Sequence, residues 1–202
     1  MNYQKLLDAK LDELTCKGEK PRLLLHACCA PCSSYVVEYL SEYFETTLFY
    51  YNPNIFPEDE YNKRARQFEK LLSETGRGAG LIIRDYTPDA FSDAVKSLEN
   101  ELEGGARCAV CFRLRLEQSA AYAKAKGYDY FTTTLSVSPH KNSGLLNEIG
   151  GELAQKHGVA FLFSDFKKKD GYKRSLVLSD EYDLYRQDYC GCKYSIRQPA
   201  AT

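Results

Sequence analysis

Apolar positions along this chain recur in two alternating rhythms. Short, dense apolar runs at 22–28, 46–51, 81–86, 130–135 and 159–163 read as buried strands. Between them the spacing turns helical. In 1–14 the apolar residues are Tyr3, Leu7, Leu11 and Leu14, among charges. After Pro57, Tyr61, Ala65, Phe68 and Leu72 follow at spacings of four, three and four, which predicts a helix with one stripe facing the core. Further helices are predicted from Ser33 onward, capped by Ser33 or Ser34, over 88–98, over 109–126 with Gly127 as its stop, and over 143–157. A basic segment follows at 166–178.

Strands that keep alternating with helices, without tight hairpin signals, predict the α/β class: a parallel five-stranded sheet with helices on both faces. Ligands of such sheets sit beyond the C-terminal strand ends, where the strand order reverses. A chain of 202 residues fits a single domain, divided here into an N-terminal helix (1–20), an α/β core (21–165), and a basic helix with a Cys-Gly-Cys tail (166–202).

Composition narrows the class. With 44% hydrophobic and 27% charged residues, neither a disordered nor a membrane protein is expected. The N-terminus lacks the apolar run of a signal peptide, so a cytoplasmic location with no membrane contact is expected. Thiols stay reduced there, and eight cysteines then point to metal or redox chemistry rather than to a disulfide framework. A net charge of −1 argues against bulk capture of a nucleic acid. Local basic runs remain at Lys167, Lys168, Lys169, Lys173 and Arg174, which could bind RNA or face water, and at Lys63, Arg64 and Arg66, read as a solvated helix face.

The cysteines carry the chemistry. Cys28, Cys29 and Cys32 fall at the end of strand one, where the topology predicts the site. Cys108 and Cys111 form a second pair at a helix start, and Cys190 and Cys192 flank Gly191. Close spacing lets two thiolates from one turn reach one metal centre, and helix N-termini beside Cys32 and Cys111 would favour their negative charge. Cys16 stands alone and is read as an ordinary cysteine. Structural zinc fits the spacings but uses four ligands. A [4Fe–4S] cluster beside a mononuclear iron uses the whole set of Cys28, Cys29, Cys32, Cys108, Cys111, Cys190 and Cys192, and iron is favoured.

Other polar residues are weighed by position. His26 is expected to point away from Cys29 into a hydrogen-bonded supporting role, and His157 to lie at the surface. The loop after strand four, with Ser138, His140, Lys141 and Asn142, shares the rim with Cys28 and is expected to contact substrate or phosphate, as is Arg186 in the tail. Asp85 and Tyr86 end strand three on the same rim, as proton donors, extra ligands or merely loop caps. The tail from Tyr185 to Ser195 interleaves aromatics, cations and thiols, an arrangement that stacks unpaired bases or packs an edge.

Four stretches together resemble the QueH-type epoxyqueuosine reductases: His26-Ala27-Cys28-Cys29-Ala30-Pro31-Cys32-Ser33, Arg107-Cys108-Ala109-Val110-Cys111-Phe112, Phe131-Thr132-Thr133-Thr134-Leu135 with Ser138-Pro139-His140-Lys141-Asn142, and Tyr185-Arg186-Gln187-Asp188-Tyr189-Cys190-Gly191-Cys192. The resemblance spans residues 20–196. It implies reduction of an epoxide on a modified guanine of the tRNA anticodon loop to an alkene, with a [4Fe–4S] cluster held from among Cys28, Cys29, Cys108 and Cys111, an adjacent iron, and no cobalamin. Proton donors would come from Asp85, Tyr86, Asp188 and Tyr189, and electrons from a ferredoxin or flavodoxin. The layout is also similar to the Rossmann-type fold of ATP-pyrophosphatase (HUP-like) enzymes, but the glycine-rich phosphate loop after strand one is replaced by cysteines, so no ATP is expected. An iron–sulfur tRNA thiolation enzyme and a zinc-stabilised RNA-binding module are the alternatives.

Overall fold

A computed structural model describes residues 1–196; the last six residues of the tail lie outside the described part. Strands β1 (Arg22–His26), β2 (Glu45–Tyr50), β3 (Gly80–Ile83), β4 (Tyr130–Thr133) and β5 (Ala160–Phe161) form one sheet in the order β3-β2-β1-β4-β5. Every pair is parallel. Helices α1 (Tyr3–Lys17), α2 (Ala30–Leu40), α3 (Glu58–Thr75), α4 (Pro88–Ala94), α5 (Ala106–Ala125), α6 (Ser143–His157) and α7 (Gly171–Glu181) complete the chain. None of them is long and apolar enough to cross a membrane.

The central strand explains itself. Leu23, Leu24 and Leu25 are all fully buried, and burying each contributes about 1.5–3 kcal/mol, which only a strand covered on both faces can collect. Leu23 and Leu25 join Leu48, Tyr50 and residues of α1, α2, α3 and α7 in one core. Leu24 faces the other way, with Phe49, Phe131 and Phe161, against α5 and α6. The α6 side packs so closely that a Cβ on Gly150 would run into the Phe161 ring.

The elements begin and end where local hydrogen bonds decide. The helix after β1 starts at Ala30 rather than Ser33, with Pro31 in its first turn, where a missing N–H costs nothing. Ser33 and Ser34 therefore do not cap it; they are buried, and their hydroxyls donate to the Cys29 and Pro31 carbonyls at 2.8 Å. Strand β3 stops at Ile83 because the Arg84 carbonyl accepts the Tyr61 hydroxyl at 2.6 Å. Strand β4 stops at Thr133, whose hydroxyl accepts from the Leu135 N–H and turns the chain into the 3-10 turn Thr134–Val137. Helix α5 starts at Ala106, so Cys108 and Cys111 sit three residues apart within its first turns. Helix α4 ends at Ala94, β5 is reduced to two residues, and the basic segment becomes helical only from Gly171.

Candidate metal centre and catalytic pocket

The chain leaves β1 in the direction of β2 and later returns to the opposite side of β1 as β4, so the crevice between the ends of β1 and β4 is the switch point of this sheet. Cys28 and Cys29 follow β1 directly there. Cys29 is the N-cap residue of α2, in extended backbone, and Cys32 lies in the first helical turn. The three sulfurs lie within 4.8 Å of one another, with 3.7 Å between those of Cys28 and Cys29. Hydrogen bonds from the Cys28 and Cys32 thiols hold Cys29 well below the ordinary thiol pKa. The bonds to Cys29 push Cys28 and Cys32 up, so Cys29 is the thiol of the three that gives up its proton most readily.

The other cysteines approach from two further segments but do not join that group of three. The Gly104 N–H donates to the Cys108 sulfur at 3.2 Å. Cys111 is buried against Phe91, Val95 and Cys192, and burial pushes its thiol up to about 12. Cys190 borders the same cavity as Cys28 and Cys32, and the Lys141 ammonium, also paired with Glu103, donates to its sulfur at 3.1 Å. Gly191 has φ +125°, a conformation that favours glycine, and a Cβ there would lie 3.1 Å from both Arg64 Nη1 and Ile55.

Arg64 corrects one expectation. It is not on a solvated face but 1% exposed, paired with Glu60 at 2.7 Å and donating to the Cys190 carbonyl at 3.2 Å. The helical stripe that carries Tyr61 and Phe68 also carries Arg64 inward, where it holds the Cys-Gly-Cys loop. Lys63 does stay near the surface, over the Tyr185 ring at 3.4 Å.

A cavity of about 490 Å³ opens over Cys28, Cys32 and Cys190. Ser138, His140, Lys141, Arg186, Asp188 and Tyr189, all candidates from the sequence or the resemblance, line it. Three expected residues do not. Asp85 is exposed in the loop after β3. Tyr86 borders a separate cavity and spends its hydroxyl on the Ile55 carbonyl at 2.9 Å. Asn142 caps α6 by accepting from the Leu145 N–H at 3.1 Å. Both β3 residues miss the cavity because β3 is an edge strand, two strands away from the switch point.

Among the lining residues not singled out from the sequence, Gln187 and Arg115 carry polar groups of note. The Gln187 side-chain oxygen is buried without a hydrogen-bond partner. Arg115 is 2% exposed and falls on the same buried face of α5 as Cys108, Cys111, Phe112 and Leu116. A cation on an apolar helical stripe that starts with two cysteines is the signal that finds it.

The remaining candidates have structural partners. His26 is fully buried, with Nδ1 against the Thr133 hydroxyl at 2.9 Å and Nε2 against the Tyr51 carbonyl at 3.2 Å. His157 is half-buried rather than simply superficial, because Glu117 pairs with it. Cys16 is exposed. In the basic run, Lys167 pairs with Asp165, Lys169 with Asp8, Lys173 with Asp170 and Arg174 with Glu38.

An all-sulfur donor set selects soft or borderline metals such as zinc, copper(I) or iron–sulfur centres. Cys28, Cys29 and Cys32 can bind such a centre, and the surroundings favour an anionic one. Arg115 pairs with no carboxylate among the described residues, its Nη2 has no partner, and the ionisable groups that favour its charge are Cys111, Cys190, Cys28 and Cys108. A buried guanidinium needs a matching negative charge, which metal-bound thiolates provide.

Comparison with known proteins agrees with this geometry. The sequence profile of the family described as "Epoxyqueuosine reductase QueH" matches residues 23–198. Proteins of that name from Streptococcus pyogenes serotype M1 and from Staphylococcus aureus (strain Mu50) are 41% and 39% identical to this chain. Each alignment covers 98% of the chain, with 79% and 85% of the relative. One from Thermotoga maritima is 35% identical over 86% of this chain and 90% of its own length. With the profile match running from β1 through the Cys-Gly-Cys loop, the chain belongs to the epoxyqueuosine reductase QueH family.

Proposed function

We propose that this protein reduces epoxyqueuosine in the tRNA anticodon loop to queuosine at the cavity over Cys28, Cys29 and Cys32, using a [4Fe–4S] cluster with an adjacent iron. The observation that carries the site is the three-sulfur group opening on a cavity that six of the expected polar residues line. Cys28, Cys29 and Cys32 would hold the metal centre, with further donors drawn from Cys108, Cys111, Cys190 and Cys192. When bound, such a centre supplies electrons singly and a Lewis-acidic iron.

The reaction takes two electrons and two protons, breaks both epoxide C–O bonds and releases the oxygen as water. The chain's own residues must therefore bind an anionic nucleotide, deliver protons and limit solvent. Lys141 and Arg186 bring fixed positive charge to the cavity wall and suit the phosphates of an RNA loop. Burial raises the Lys141 environment's cost, but the Cys190 sulfur and Glu103 more than offset it, so Lys141 stays protonated. Tyr189 also carries its proton at neutral pH, because burial raises its phenol, although its hydroxyl donates to the Phe56 carbonyl at 2.9 Å. Asp188 lies beside it on the exposed side of the cavity. Asp188 and Tyr189 are favoured as the donors to the departing oxygen because they line the cavity, whereas Asp85 and Tyr86 would have to reach it from outside. A one-electron carrier of the ferredoxin or flavodoxin class would refill the centre, and a tRNA substrate sets the reaction in the cytoplasm.

The test is anaerobic purification with iron and sulfide analysis, followed by a reductant-driven assay on epoxyqueuosine-containing tRNA. Iron with sulfide and conversion to the alkene are expected. Zinc alone without conversion would overturn the reading.

A further inference from the structure

We infer that Arg115 is a positioning residue that supplies the fixed counter-charge of the cysteine centre and sets how readily that centre accepts an electron. The inference rests on the iron–sulfur reading above. Four cations are buried or nearly so around the cysteines. Arg107 donates to the Leu98 and Glu99 carbonyls and does not line the cavity. Of the other three, Arg64 is matched by Glu60 and Lys141 by Glu103. Arg115 is not. Its Nε donates to the Cys111 carbonyl at 3.2 Å, its Nη1 to the Asn52 side-chain oxygen at 3.3 Å, and its Nη2 to nothing, although it is 2% exposed.

These contacts place the charge between the cysteine segments. Asn52, which accepts from Arg115, donates in turn to the Ala27 carbonyl at 2.8 Å, immediately before Cys28. The guanidinium thus ties α5, which carries Cys108 and Cys111, to the end of β1. It also borders the cavity that Cys28, Cys32 and Cys190 line. Neutral amide and carbonyl partners hold its geometry but leave its charge uncompensated, so the compensation falls to sulfur. Reduction adds one electron to a centre that already carries thiolate charge, and a fixed cation beside it favours the reduced form.

The experiment is a potentiometric titration of the anaerobically purified full-length protein and its R115Q and R115K variants, followed by visible absorbance and electron paramagnetic resonance, with iron and sulfide counted in each. At a fixed potential the reduced-to-oxidised ratio of R115Q should fall about tenfold or more, which for a one-electron couple is a midpoint about 59 mV more negative. R115K, which keeps the charge, should titrate close to the parent. Iron held by R115K but lost from R115Q also supports the inference, because both replacements lose the guanidinium fork and only one loses the charge. A parent-like midpoint in R115Q, an equal shift in R115K, or loss of iron from both variants would overturn it and leave Arg115 a packing role. A parent protein without iron would sink the cofactor reading and this inference together, whereas an iron-loaded parent with R115Q unmoved sinks this inference alone.

Discussion

Replacing Arg64 with methionine keeps the length of the side chain and removes its charge. The structure says what that charge holds. Arg64 pairs with Glu60 at 2.7 Å, with side-chain exposures of 1% and 10%, and donates to the Cys190 carbonyl at 3.2 Å. After R64M, Glu60 keeps only the Tyr185 hydroxyl, at 3.2 Å, and the Cys190 carbonyl loses its donor. Breaking one half of a buried pair costs about 3–5 kcal/mol, because the partner's charge stays buried. For a domain of this size each kcal/mol moves Tm by roughly 2–4 °C, so thermal unfolding followed by circular dichroism should show a fall of about 6–20 °C. The double variant R64M/E60M removes both charges and should recover most of that loss. A fall of less than about 3 °C in R64M, or a double variant no more stable than the single, would refute the argument that this pair is buried and coupled.

G191A should lower the iron content sharply, measured colorimetrically, since a Cβ must both tolerate φ +125° and displace Arg64 and Ile55 from 3.1 Å. C28S, C29S and C32S should each lower iron content, whereas C16S at an exposed site should leave it unchanged; equal loss in all four would remove the three-sulfur group from the argument. Neutralising Lys168, whose neighbours in the basic run are paired with acids, should flatten the dependence of log K for tRNA on log salt by no more than about 0.7. Losing several units of that slope when all five cations of the run are neutralised together would restore the run as a docking surface. Hydrogen bonding to Arg174 holds Glu38 below its ordinary value of 4.5. That pair's stabilisation is present above pH 4.5 and lost as pH falls through the lowered folded value, and R174A should abolish it. Since the two side chains are 42% and 25% exposed, the whole effect in acid unfolding should stay below about 1 kcal/mol.

The sheet was legible because its strands are dense apolar runs, and a strand such as Leu23-Leu24-Leu25 has nowhere to go but the middle. Element ends were less legible, since they depend on partners far away in sequence: β3 ends where Tyr61 takes the Arg84 carbonyl, and no local residue at 84–86 announces it. The site error came from strand order instead: β3 is the edge strand, so Asp85 and Tyr86 lie two strands away from the switch point however far the strand runs. The cysteines and the Ser138–Lys141 loop were legible from spacing and from position after β1 and β4, and the 186–189 stretch from its adjacency to Cys190 and Cys192 and from the family resemblance. The buried cations were not. Arg64 and Arg115 look like surface residues by type, and only the phase of each within its helical stripe reveals that it turns inward.

That phase matters because it explains how the first turn of a Rossmann-type sheet can serve a sulfur centre. In the nucleotide-binding version, glycines let the backbone approach phosphate, and the helix N-terminus meets the anion. Here Pro31 removes one N–H from that turn, and Cys29 stands at the N-cap. The same helix end that would face a phosphate now favours the Cys29 thiolate, while side chains replace the backbone as donors. Three thiols at that turn could not all ionise on the helix dipole alone, which is worth well under 2 kcal/mol at most sites. The extra positive charge arrives from α5 as Arg115, since Arg64 and Lys141 are already paired with Glu60 and Glu103. A site assembled this way has little reason to bind a nucleoside triphosphate, so turnover should be indifferent to added ATP. Stimulation by ATP would mean that the turn still reads phosphate.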